Sequence, residues 1–150
     1  MKKIIKNKKG FTLIELLAVI VLLAIVGVVG ANLIITRLNK GKVDTFVNDY
    51  RDIVKEVSAA QIDGLETCDK TSCPNKIDYS SNDIDLTVTI DGNMTTTVTV
   101  AASSTGTFKK VDLSKYYCNP TGSDTECKDK TKLPKGAELS GKQTIIGTFE

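Results

Sequence analysis

Lys8-Lys9-Gly10-Phe11-Thr12-Leu13-Ile14-Glu15 leads directly into an apolar run that extends to Ile35, interrupted only by Thr12, Glu15 and Asn32. At about 1.5 Å of helix rise per residue, such a run is long enough to cross a hydrocarbon core of roughly 30 Å. Glutamate is costly inside a bilayer, so a carboxylate at position 15 calls for a partner or a function. The small residue expected of a processing site lies before the run, at Gly10, rather than after it. An ordinary signal peptide or signal anchor is the competing reading, with Val29-Gly30-Ala31 as a weak cleavage site. The acid within the run and the glycine in front of it argue against that reading.

Charge divides the chain into two parts. The 150 residues carry 20 basic and 18 acidic side chains, formally +2. Five of the lysines (Lys2, Lys3, Lys6, Lys8 and Lys9) lie in residues 1–10, and without them 15 basic side chains face 18 acidic ones. The basicity therefore belongs to the leader. It marks the cytoplasmic flank of a membrane segment and does not argue for nucleic-acid binding. With no histidine in the chain, Ser-His-Asp and Cys-His nucleophilic sites and His-ligated zinc are excluded. No glycine-rich phosphate loop or recognisable carboxylate pair offers another route to catalysis, so neither an enzyme nor a cofactor or metal site is expected.

Beyond the apolar run, Val43, Phe46, Val47, Tyr50, Ile53, Val54 and Val57 recur at spacings of three and four, which is one apolar helical stripe. No proline precedes Pro74. A single helix is predicted from about Phe11 to Ile62, on the order of 75 Å long. Its first half is apolar all round and its second half has one face to bury. Gly64 and the segment around Cys68 are expected to end it. Gly27, Gly30 and Gly41 are soft points within it. They can serve close packing in the membrane or local loosening, and the sequence leaves both open.

Ile84, Leu86, Val88 and Ile90 alternate with polar residues, and Met94, Thr96, Val98 and Val100 do so again after Asp91-Gly92-Asn93. This is a hairpin with turn chemistry at its tip. Further strands are expected near Phe108–Leu113 and Thr144–Phe149. The fold class is therefore α+β, a long N-terminal helix laid on a small antiparallel sheet. Four cysteines, Cys68, Cys73, Cys118 and Cys127, favour disulfides in an exported domain. Of the three possible connectivities, neighbour pairing (Cys68 with Cys73, Cys118 with Cys127) is preferred, because short spacings suit loop staples.

The block Lys8-Lys9-Gly10-Phe11-Thr12-Leu13-Ile14-Glu15-Leu16-Leu17 resembles the processing site and transmembrane head of type IV prepilins. The resemblance covers about the first 35 residues. It implies a leader at 1–10, a transmembrane and assembly helix at 11–35, an amphipathic continuation at 36–62 and an extracytoplasmic sheet domain at 63–150. It also implies that a prepilin peptidase and N-methyltransferase cuts after Gly10 and methylates the new amine of Phe11. The Glu15 carboxylate would then meet the Phe11 amine of a neighbouring subunit. Implied partners are further copies of the chain, minor pilins, the membrane, and an assembly platform with its ATPases. The chain would begin as a single-pass protein of the cytoplasmic membrane and end in a surface filament, with adhesion and motility as family-level roles. The Cys118–Cys127 segment resembles the C-terminal disulfide region of many pilins. A pseudopilin of a type II secretion or competence system, a minor pilin, and a membrane-tethered domain that never polymerises are the alternatives.

Overall fold

The computed structural model describes residues 10–61, 67–69, 82–91, 95–121 and 127–149. One helix, α1, runs unbroken from Leu13 to Gln61 over 49 residues. The chain divides into two compact units between Leu38 and Asn39. In the first unit the helix is bare. Eighteen large apolar side chains from Phe11 to Leu38 are each at least half exposed, and they lie on every side of the helix.

The second unit is organised by the helical stripe that the spacing predicts. Val43, Phe46, Val47, Tyr50, Ile53, Val57 and Ala60 are buried on α1, while Val54 packs half-buried at the margin. Their cover is a five-stranded antiparallel sheet in the order β1-β2-β3-β7-β6. Its strands are β1 (Thr67–Asp69), β2 (Ile84–Ile90), β3 (Thr96–Ala102), β6 (Ala137–Leu139) and β7 (Thr144–Phe149). The β2–β3 hairpin pairs Ile84 with Ala102 through to Ile90 with Thr96. In that register Ile84, Leu86 and Val88 turn inward with Val98 and Val100, while Asp85, Thr87 and Thr89 face solvent. A two-residue alternation with one buried face dictates this arrangement. At the turn end of the hairpin the Thr95 N–H donates to Asp91 Oδ1 at 2.9 Å, and the Asp91 N–H donates to the Thr95 carbonyl at 3.0 Å. Gly92 and Asn93 of the predicted tip and Met94 of the predicted strand lie outside the described residues, as do Gly64 and Ile62 at the predicted helix end.

The segment predicted as a strand near Phe108–Leu113 is not one. The Lys109 N–H donates to the Gly106 carbonyl (3.1 Å), the Val111 N–H donates to that of Phe108 (2.9 Å), and Leu113–Lys115 forms a 3-10 turn. The buried residues Phe108 and Val111 are three apart, the spacing of a turn. A strand would require burial at every second position. Lys110 adopts a left-handed backbone (φ 64°), which ladder pairing does not permit. Phe108 still contributes to the core through an edge-to-face contact with Phe46, ring centres 5.2 Å apart. Two further elements, β4 (Tyr117–Cys118) and β5 (Thr131–Lys132), form a short parallel pair. The Tyr117 hydroxyl ties this pair to the helix by donating to Asp44 Oδ1 at 3.0 Å.

Helix and sheet approach each other closely at Gly147 on β7. A Cβ there would overlap the Tyr50 hydroxyl and come within 3.1 Å of its Cζ. Burial also pushes the Tyr50 phenol up to about 12, so the ring is held neutral against the strand. Gly147→Ala is expected to cost about 1–3 kcal/mol through overpacking. Urea denaturation followed by tyrosine near-UV circular dichroism would measure the loss.

Candidate functional site

Thr12 and Glu15 close the start of α1 on each other. The Thr12 N–H and hydroxyl both donate to Glu15 Oε2, each at 2.8 Å. The Thr12 hydroxyl in turn accepts from the Glu15 N–H at 3.3 Å. With the Leu16 N–H bonded to the Thr12 carbonyl at 3.2 Å, this is a capping box. Thr12 is the N-cap, Glu15 stands three residues in, and each satisfies an N–H that the helix start leaves without a partner. A carboxylate in the first turn also opposes the positive end of the helix dipole. The signal was present as Thr12-Leu13-Ile14-Glu15, a T-x-x-E sequence just before an apolar run. A reading that treats Glu15 only as a charge awaiting a partner passes over it.

Both bonds use Oε2, leaving Oε1 free of the cap. The carboxylate can therefore remain in the box while its other oxygen meets a cation. Phe11 stands directly before the cap and is 87% exposed. At Gly10 no atom lies within 4 Å of where a Cβ would be, so the backbone is open to approach. The structure thus brings Gly10, Phe11 and Glu15 together at one exposed helix start, at the head of the bare apolar segment. Leu13–Gln61 is also the one helix among the described residues long and apolar enough to cross a membrane.

Cys118 and Cys127 are joined in a disulfide with Cα atoms 5.9 Å apart. The Cys68 side chain and Cys73 lie outside the described residues. Beside the bridge, Asn119 Oδ1 accepts from the Leu139 N–H at 2.6 Å, fastening the stapled loop to β6.

Residues 5–31 match the profile of the prokaryotic N-terminal methylation motif. The match includes Gly10, Phe11 and Glu15 and extends through much of the apolar run. Neither a curated protein nor a solved structure matches the chain.

Proposed function

Because the chain carries a prepilin-type methylation motif on an α+β, pilin-like architecture, we propose that it is the structural subunit of a type IV pilus. Proteins of this kind are structural rather than catalytic. The motif implies processing by a prepilin peptidase and assembly by pilus or secretion machinery. In this reading the peptidase removes residues 1–10, and the amine of Phe11 becomes the methylated N-terminus. The subunit waits in the cytoplasmic membrane on residues 11–35 and then polymerises through the same residues into a surface filament. Residues 36–62 and 63–150 would be the amphipathic continuation and the exported domain.

The bare helix carries this reading. Eighteen large apolar side chains spread over all faces of Phe11–Leu38, each at least half exposed, need an apolar surround. Lipid provides one in the precursor, and the helices of neighbouring subunits provide one in the polymer. A tethered domain would need only the first, and would need neither the open glycine nor the carboxylate at position 15.

Gly10→Trp isolates the processing step. The position is free of neighbours, so the fold is unaffected, but a peptidase drawing the backbone into its cleft would meet the indole. The expected outcome is uncut precursor in the membrane fraction, read as an intact mass that includes residues 1–10. Normal cleavage of this variant would remove Gly10 from the proposed processing site.

A further inference from the structure

Five lysines of the second unit gather around two adjoining hollows. Lys42, Lys109, Lys110 and Lys115 line the first, of about 330 Å³, with Asn39 and Tyr116. Lys142 joins Lys110 and Lys115 around the second, of about 530 Å³. All five are exposed. The one acid on either rim, Asp112, is already engaged, accepting from the Ser114 hydroxyl at 2.6 Å and lying 3.9 Å from Lys115 Nζ. The patch therefore keeps a large positive excess. Lys109 and Lys110 reach it because the Gly106–Asp112 segment turns back on itself, with Lys110 in the left-handed region.

The place of the patch along α1 suggests its partner. Lys42 follows Leu38, the last of the bare apolar side chains, by only four residues of chain, just past the apolar run that a hydrocarbon core would cover. Arg37 and Lys40 lie in the same stretch, and no acid occurs between Glu15 and Asp44. Acids gather elsewhere in the domain. Burial, reinforced by the charges of Asp52 and Asp83, raises the Asp49 carboxyl above its ordinary range.

We infer that the Lys42–Lys109–Lys110–Lys115–Lys142 patch rests on the outer headgroups of the membrane and binds anionic phospholipid while the subunit waits for assembly. This inference goes beyond the filament role and rests on the membrane-anchored precursor. Clustered lysines are drawn to the negative surface potential of an anionic leaflet, an attraction that falls off within a Debye length. Tyr116, amphipathic and half-buried on the rim, suits the same interfacial depth. Leaving the membrane would break these contacts, so an anionic leaflet would retain unassembled subunits more firmly than a neutral one.

Lysine footprinting of the full chain tests this. The protein is reconstituted in phosphatidylcholine vesicles with or without phosphatidylglycerol, and treated with a membrane-impermeant amine acylating reagent. Each lysine's rate is read by peptide mass spectrometry. Lys42, Lys109, Lys110, Lys115 and Lys142 should be acylated about threefold or more slowly in the anionic vesicles, with the difference lost at high salt. Lys55 and Lys128 serve as references and should not change. Equal rates in the two lipids would overturn the inference, as would protection indifferent to lipid charge. Protection that follows protein density instead of phosphatidylglycerol would also overturn it, assigning the patch to a second copy of the chain. If carbonate extracts the chain from the vesicles, the anchored precursor itself fails, and that failure is distinct from loss of the lysine effect alone.

Discussion

Glu15→Ala is expected to insert into the membrane and be cut after Gly10, yet to give at least about tenfold fewer filaments than the parent chain, because a buried amine would lose its counter-charge. Two effects overlap in this variant. Alanine breaks the capping box, whose bonds to Thr12 are 2.8 Å long, and it removes the charge proposed to meet the Phe11 amine of a neighbour. Glu15→Gln separates them, since glutamine retains the capping geometry but not the charge. If registry between subunits depends on the charge, the glutamine variant assembles as poorly as the alanine variant. If it depends on an ordered helix start, glutamine restores assembly and Thr12→Val abolishes it. The filament yield of a sheared cell-surface fraction distinguishes these outcomes. Full yield from Glu15→Ala would remove the residue from assembly altogether.

Phe46→Ala is expected to produce the largest loss of stability in the exported domain, about 3–5 kcal/mol. Phe46 is fully buried, belongs to the same core cluster as the inward residues of β2 and β3, and meets Phe108 edge-to-face at 5.2 Å. Truncation would remove the aromatic contact and leave a cavity that the surrounding secondary structure cannot readily fill. Urea denaturation followed by tyrosine near-UV circular dichroism would give the loss. Membrane insertion should not change, because the bare segment ends at Leu38, before the stripe begins. A loss under about 1 kcal/mol would mean that the helical stripe does not organise the core.

Legibility varied with the length of the pattern. The helix was readable over nearly its full extent because apolar periodicity, absence of proline and a membrane-length run all favour the same structure. The β2–β3 hairpin and β7 were readable because alternation persists through Ile84–Ile90, Thr96–Ala102 and Thr144–Phe149. The three-residue strand β6 and the two-residue pair β4–β5 are too short to carry a period. They are fixed by tertiary bonds, such as the Thr131 N–H to the Tyr116 carbonyl at 2.8 Å and the Leu133 N–H to the Cys118 carbonyl at 3.0 Å. Phe108–Leu113 misled because Val111 and Leu113 alternate while Phe108 and Val111 do not, and the turn spacing prevailed. At the helix head, Gly10, Phe11 and Glu15 were legible as one short cluster, and the match to the methylation motif spans all three. The reciprocal Thr12–Glu15 cap was equally legible but was eclipsed by the more conspicuous charge. The lysine patch was not legible, because Lys42, Lys109, Lys115 and Lys142 are brought together only by folding.

Mass spectrometry of material sheared from the native cell surface decides whether the chain is processed and polymerised. Intact mass and N-terminal peptide analysis would be applied to the high-molecular-weight fraction. A pilus subunit begins at methylated Phe11 and is recovered there as polymer. A chain recovered only in the membrane, with Met1 intact or with its N-terminus beyond Ala31, is an anchored or secreted domain and not a pilus subunit.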